Sequence, residues 1–186
     1  NSLAEEIEAV VRKFDFDGDL AANCAEVLSL IDDDLADISI KYWDYWASLG
    51  IFSELTDPSH KAAMAQRTAN FMRTRLGDAC GSSWHFGLQA QVTDACKREI
   101  PLSDVLAASS RTNIGYYRAI GRKMDRTSPD YLRLVKAIMD FTTTDLAIMS
   151  TCYAHSQRMR TQEKQKDFTA QFENDIGATA ADVSEH

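Results

Sequence analysis

Three prolines divide this chain into segments whose apolar residues recur every three or four positions. They stand at positions 58, 101 and 129, and each lies between two periodic segments. Proline interrupts a helix because it lacks a backbone donor and its ring clashes with the preceding turn. The 186-residue chain is long enough for one domain with a sizeable core. Its pattern predicts an all-helical protein.

The first helical segment is predicted to begin at the acidic stretch DFDGDL, residues 15–20. The clearest apolar stripe then runs from Leu28 to Leu49, which predicts one helix closed by Gly50. Asp57 or Ser59 is the predicted cap of the next helix. Residues 77–83 are predicted to form a loop, and 84–99 another helix.

After Pro101, Ser103 or Asp104 is predicted to cap a helix that runs to about Met124. The string TSPD at 127–130 is a strong start signal, because proline favours the first turn of a helix. The last helix is predicted to run unbroken from there through Tyr153.

The tail, from about residue 157, is polar, and its few apolar residues form a narrow seam. The seam comprises Phe168, Phe172, Ile176, Thr179 and Val183. Such spacing favours a coiled coil over a globular core. We therefore expect a sensor domain at 1–156, the start of a signalling-helix linker at 157–186, and a longer natural chain that continues into another module.

Composition restricts the class of partner. Hydrophobic residues make up 45% of the chain and charged residues 26%, and the net charge is −8. An acidic surface does not attract nucleic acid or anionic membrane, so neither is expected as a partner. No export signal and no membrane-spanning apolar run is visible. We expect a cytoplasmic protein whose four cysteines, at 24, 80, 96 and 152, are reduced.

Two acidic clusters have alternative interpretations. The glycine of DFDGD falls too early for a calcium loop, so a helix cap is favoured there. The string DDD at 32–34 points in three directions on a helix, so we expect a solvated face rather than a metal or acid–base cluster. The sequence has no phosphate-binding loop, nucleophile elbow or zinc motif, and we expect no enzyme.

Several strings together resemble the globin-coupled sensor family. They are DLAAN at 19–23, YWDYW at 42–46, DPSHK at 57–61, TDLAIMSTCY at 144–153 and FENDIGAT at 172–179. The resemblance covers almost the whole chain and rests on the order of these strings. It implies a globin-like helical bundle that dimerises through its last two helices. The output would be a methyl-accepting chemotaxis signalling module and its downstream proteins.

The resemblance also implies positions for haem ligands. The string IPL at 100–102 marks the segment that follows the proximal histidine in that family, and counting back places the ligand at Ala95 or Cys96. The distal position falls on Tyr42 or Trp43. Because neither Ala95 nor Cys96 is histidine, we expect a domain that is haem-free or has altered ligation.

The candidate pocket residues are accordingly Tyr42, Trp43, His85 and Cys96. Cys96 could supply a thiolate to haem, helped by the two cations that follow it, or it could be a small core residue. His85 lies three turns before Cys96, too far for the same position, and is expected near the helix start beside Trp84. His60 is expected to be exposed, and His155 to lie at the dimer interface.

Three functions remain open. The first and favoured one is the sensory domain of a cytoplasmic chemoreceptor, which relays a ligand or interface change through its last helices. The others are a haem-based gas sensor with a non-histidine ligand, and a non-haem globin scaffold for signalling assemblies. A redox input is a further, weaker hypothesis, with Cys80 as the most exposed cysteine.

Overall fold

Residues 2–184 form seven α-helices joined by short connections. The computed structural model describes residues 2–184, apart from the side chains of 174, 175 and 177–184. The helices are α1 Leu3–Phe14, α2 Leu20–Ile31, α3 Leu35–Ser48, α4 Pro58–Gly77, α5 Ser82–Lys97, α6 Leu102–Lys123 and α7 Pro129–Ser184. The described residues include no strand, which confirms the all-helical prediction. Within residues 2–184, no helix has the length and apolarity that a membrane crossing requires.

Most predicted helix boundaries are confirmed, with a physical cause at each. Gly50 adopts a positive φ of 65° just after α3, a conformation that costs glycine little. The Asp57 side chain accepts a hydrogen bond from the Ser59 amide at 2.8 Å and so caps α4. The Ser128 hydroxyl accepts one from the Tyr131 amide at 3.1 Å at the start of α7.

Two boundary predictions are wrong. The helical part of the chain begins at Leu3 rather than at residue 15, because Ser2 and Glu5 form a capping box. The amphipathic helix α1 buries Ile7 and Val11 in the core. Helix α6 begins at Leu102, directly after Pro101, so Ser103 and Asp104 lie inside the helix and do not cap it.

The stripe predicted as one helix from Leu28 to Leu49 is broken by a 3₁₀ turn over Asp32–Asp34. The solvated-face interpretation of these aspartates is wrong for Asp34, whose side chain is only 16% exposed. Asp34 pairs with Arg122 at 2.6 Å and with Lys123 at 2.9 Å, so it connects the turn to the end of α6. Asp32 pairs with Arg73 of α4 at 2.5 Å. Asp33 is exposed and the Asp32 side chain stays 47% exposed in its pair, so both fit the solvated-face interpretation.

Helix α7 packs against more helices than any other helix among the described residues. It contacts α1, α2, α5 and α6, while α3 packs between α4 and α6. Gly115 of α6 permits the close approach to α3, because a Cβ atom there would lie 2.8 Å from the Ile38 side chain. The largest fully buried side chains include Trp84, Tyr116 and Phe141. Beyond Arg160, α7 is exposed at every position whose burial is described.

Candidate functional site

A cavity of about 270 Å³ lies at the middle of the bundle, between α3, α4, α5, α6 and α7. We call it the central cavity. Its polar or charged lining residues are Tyr42, Thr68, Arg75, Gln91, Ser109, Thr112, Asn113 and Asp145. Its apolar walls come from Trp43, Phe71, Met72 and Met149, with Gly87 beside them. A second cavity of about 140 Å³ adjoins it and shares Tyr42, Trp43 and Gln91.

A buried ion pair forms one wall of the central cavity. Arg75 of α4 pairs through Nη2 with Oδ2 of Asp145 on α7, and their side chains are only 9% and 5% exposed. The indole Nε1 of Trp84 donates to the other carboxylate oxygen of Asp145. Both oxygens of the carboxylate therefore have donors, as a buried charge requires.

Aromatic rings fix the orientation of Arg75. Its guanidinium carbon lies 5.2 Å from the ring centroids of both Phe71 and Phe141. Phe141 in turn stacks on Trp84, with centroids 5.0 Å apart and an interplanar angle of 17°. Cation–π contacts of this kind are strengthened where water is excluded. Arg75 is therefore held in one position beside the cavity.

Two hydrogen bonds order the part of the cavity lining formed by α3 and its neighbours. Gln91 donates through Nε2 to the Tyr42 hydroxyl at 3.0 Å. The Trp43 indole donates to the Thr68 hydroxyl at 2.9 Å. The acceptor oxygen of the Gln91 amide has no protein donor among the described residues. This part of the lining thus offers an acceptor, and Arg75 offers a donor.

Burial keeps the tyrosines around the ion pair uncharged. It raises the pKa of Tyr42 and raises that of Tyr116 to about 12, although Arg75 acts in the opposite direction on both. Burial also lowers the pKa of Arg75, whose ordinary value is far above neutral. The charges at the cavity wall are therefore those of Arg75 and Asp145, and they compensate each other.

Of the four candidate pocket residues, two line the central cavity and two do not. Tyr42 and Trp43 lie on α3 and border both cavities. His85, on the first turn of α5, packs beside Trp84 with ring centroids 5.6 Å apart, as expected. Its Nε2 is buried and has no partner in the described part of the chain. His85 and Cys96 border neither cavity.

Cys96 is a buried thiol that is held against α7. It is 2% exposed, and its backbone oxygen accepts a hydrogen bond from Arg160 at 2.7 Å. Burial raises the pKa of the Cys96 thiol, while Ser156 and Arg160 oppose that effect only in part. Lys97 and Arg98 are exposed, and the expected thiolate is disfavoured.

The residues at this site do not fit haem. Ala95 borders the second cavity at the implied ligand position and offers no ligand atom. Cys96 faces elsewhere as a thiol, and the central cavity is lined by an ion pair and hydroxyl groups rather than by a flat apolar crevice. His60, exposed as expected, borders the second cavity on the first turn of α4.

Arg75 and Asp145 were missed as site residues, although the sequence carries a signal for one of them. Asp145 interrupts the apolar stripe of α7, three and four residues before the buried Ile148 and Met149. A charged residue on an apolar helical face is usually paired when it is buried. Arg75 lies next to the stripe residue Leu76 and gives a weaker signal.

The other ligand-bearing side chains are scattered. Within the described residues, no three of the histidine, cysteine, aspartate and glutamate side chains converge as a metal site would require. Cys80 is the least buried cysteine, as expected. Burial and the neighbouring Asp15 raise its pKa to about 12, which disfavours the reactive thiolate. No family model, curated protein or solved structure matches this chain.

Proposed function

We propose that this chain is the sensory domain of a signal transducer, with the central cavity as its input and α7 as its output. The observation that carries the proposal is that one helix takes part in both. Asp145 and Met149 border the cavity, and the same helix continues to Ser184. A molecule in the cavity would contact the output helix directly.

The mechanism is a shift between two packings of α7. Asp145 is tied to Arg75 of α4 and to Trp84 of α5. The Sδ atom of Met149 accepts a weak hydrogen bond from the Ser109 hydroxyl of α6 at 3.7 Å. A ligand that binds one packing better than the other shifts their populations by its differential affinity. The displacement of α7 then changes the orientation of the tail.

The tail supports an output through a second copy of the chain. Phe168, Phe172 and Ile176, three residues of the predicted seam, are 71%, 55% and 53% exposed. Thr179 and Val183, the remaining seam residues, lie outside the described side chains. An apolar seam along a long helix is typical of a coiled coil. We propose a homodimer in which this seam and the outer faces of α6 and α7 meet.

The proposed fold is a haem-free, globin-like bundle. In support, the described residues form helices without a strand, and Tyr42 and Trp43, the two positions to which the resemblance assigns the distal residue, border the central cavity. The proposed output is a methyl-accepting chemotaxis module that follows α7, acting on cytoplasmic partners. The domain itself performs no catalysis in this proposal.

The test is to fill the cavity with a larger side chain and to measure the hydrogen exchange of the tail amides. Ser109→Phe places a ring in the cavity next to Met149, whereas Ser110→Phe places the same ring on the exposed neighbouring position. Hydrogen exchange followed by mass spectrometry then reports the protection of the amides at 161–173. We expect Ser109→Phe to change that protection severalfold and Ser110→Phe to leave it unchanged. Equal protection in both variants would contradict a link between the cavity and the tail.

A further inference from the structure

We propose that the central cavity binds a small uncharged molecule that carries a primary amide or a closely similar carbonyl group. The proposal rests on the proposed sensory function in taking this cavity as the input site. The ligand carbonyl would accept from Arg75, and its N–H group would donate to the side chains across the cavity. The donor and the acceptors are both present in the lining.

Arg75 supplies the donor side of the site. Its Nη2 meets Asp145, and the Arg75 side chain borders the cavity. A guanidinium has five N–H donors in a fixed plane, so one carboxylate does not use all of them. The rings of Phe71 and Phe141 fix that plane. An oxygen acceptor in the cavity would therefore meet a donor that is already oriented.

Gln91, Thr112 and Asn113 supply the acceptor side. The Gln91 amide nitrogen is engaged by Tyr42, which leaves its oxygen available to a ligand donor. The side chains of Thr112 and Asn113 border the cavity and make no hydrogen bond within the described part of the chain. A ligand that both accepts and donates would satisfy the two sides at once, as an amide does.

Charge decides between an amide and a carboxylate. Asp145 already neutralises Arg75, so a ligand carboxylate would be buried beside a second negative charge with no counter-ion of its own. A ligand cation would instead be repelled by the positive charge of Arg75. The net charge of −8 also disfavours the approach of anions. An uncharged ligand avoids all of these costs.

Size and shape restrict the ligand further. The volume of about 270 Å³ is just below the roughly 300 Å³ at which ordinary ligand pockets begin. Phe71, Met72 and Met149 give the cavity an apolar wall. The ligand is therefore a small molecule with one hydrocarbon side, and benzamide is a suitable probe of this class.

The experiment compares benzamide with benzoate, which has the same shape and a negative charge. Each is titrated into the ¹⁵N-labelled chain at pH 7, and the indole N–H signals of Trp43 and Trp84 are followed. We expect benzamide to shift these signals saturably and benzoate to bind at least about tenfold more weakly. Equal or tighter binding of benzoate would overturn the proposal, and so would a benzamide shift that does not saturate.

Variants locate the binding. Gln91→Leu and Thr112→Val each remove one polar group from the cavity, and each is expected to weaken benzamide about tenfold. Gln66→Leu makes the same change as Gln91→Leu on the exposed face of α4 and is expected to leave the affinity unchanged. Thr112→Val keeps the side-chain volume and provides the test if Gln91→Leu does not fold. Unchanged affinity in both cavity variants would overturn the assignment.

The two proposals fail in distinguishable ways. If benzamide binds in the cavity but Ser109→Phe leaves the tail amides unaffected, the site stands and the sensory function fails. If Ser109→Phe alters the tail but benzamide does not bind, the ligand class is wrong and the sensory function stands.

Discussion

At the scale of single residues, the ion pair of Arg75 and Asp145 dominates the interior. Both side chains are less than a tenth exposed, so each charge depends on the other for its solvation. Breaking a buried pair leaves an uncompensated charge, whereas replacing both partners by apolar residues removes the requirement. The pair therefore contributes more to a defined arrangement of α4 and α7 than to net stability.

Asp145→Ala is expected to lower the free energy of unfolding by about 3–5 kcal/mol, because Arg75 loses its counter-ion. The double variant Arg75→Met with Asp145→Leu is expected to lose markedly less free energy of unfolding than Asp145→Ala. Urea denaturation of the single and double variants measures both values. A double variant less stable than Asp145→Ala would show that the pair is not compensated in the way described.

His85 is expected to make stability depend on pH. Burial lowers its pKa, although Glu8 and Asp78 act in the opposite direction. The unfolded chain, with a histidine pKa of about 6.5, then binds more protons than the folded one, so stability rises with pH. The contribution of His85 is complete above about pH 6.5 and is lost as the pH falls through the lower folded value.

Urea denaturation at pH 8 and pH 5.5 compares the wild type with His85→Gln. We expect the wild type to lose more stability than the variant over this interval. His60→Gln, at an exposed position, is the control and should behave like the wild type. An identical loss in His85→Gln and wild type would contradict the role of burial.

At the scale of helices, the contact between α3 and α6 depends on a missing side chain. A Cβ atom on Gly115 would lie 2.8 Å from one carbon of Ile38 and 2.9 Å from another. Ile38 is buried and its side chain is branched, so neither atom can move away freely.

Gly115→Ala is expected to destabilise the protein by about 1–3 kcal/mol, as overpacking does. Gly77→Ala is the matched control, because its added Cβ atom would meet only Leu28 at 3.5 Å, an ordinary contact distance. Thermal unfolding of the two variants checks the difference. Equal melting temperatures would mean that α3 and α6 can separate without cost.

The sequence allowed α4 to α7 and most of their ends to be predicted, because caps and prolines act locally, whereas α1 was missed and α2 was not separated from α3. Gly50, Asp57 and Ser128 each end or begin a helix through their own backbone or side chain. The break at Asp32–Asp34 could not be predicted, because Asp34 is held by Arg122 and Lys123 from a distant helix. Apolar periodicity alone runs straight through it.

The sequence allowed only the aromatic part of the candidate site to be predicted, and not its ion pair. Tyr42 and Trp43 belong to the aromatic string on α3, and they do border the cavity. The pairing of Arg75 with Asp145 joins residues 70 positions apart, and no local pattern specifies which charges meet in a core. His85 and Cys96 were chosen by position along α5, whereas their contacts are with Trp84 and Arg160.

At the scale of the whole molecule, we expect the tail to determine whether the chain forms the proposed homodimer. Phe172 is 55% exposed on the seam of the tail, and Phe86 is 69% exposed on α5. We expect Phe172→Ser to weaken the homodimer at least about tenfold, because it removes a large apolar contact. Phe86→Ser should leave it unchanged. Sedimentation equilibrium measures both, and a monomeric wild type at micromolar concentration would contradict the dimer.

The unbroken course of α7 has a geometric consequence for such a dimer. A helix turns about 100° per residue, so the 27 positions from Asp145 to Phe172 bring the two side chains to roughly opposite azimuths. Phe168 and Ile176 flank that azimuth by about 40° on either side. The seam therefore looks away from the ion pair, and Leu132 and Met139, both exposed, point to nearly the same side. In a dimer joined along this side, the two α7 helices would lie at the common axis, and the bundle of α1 to α6 in each chain would lie on the side of α7 away from that axis.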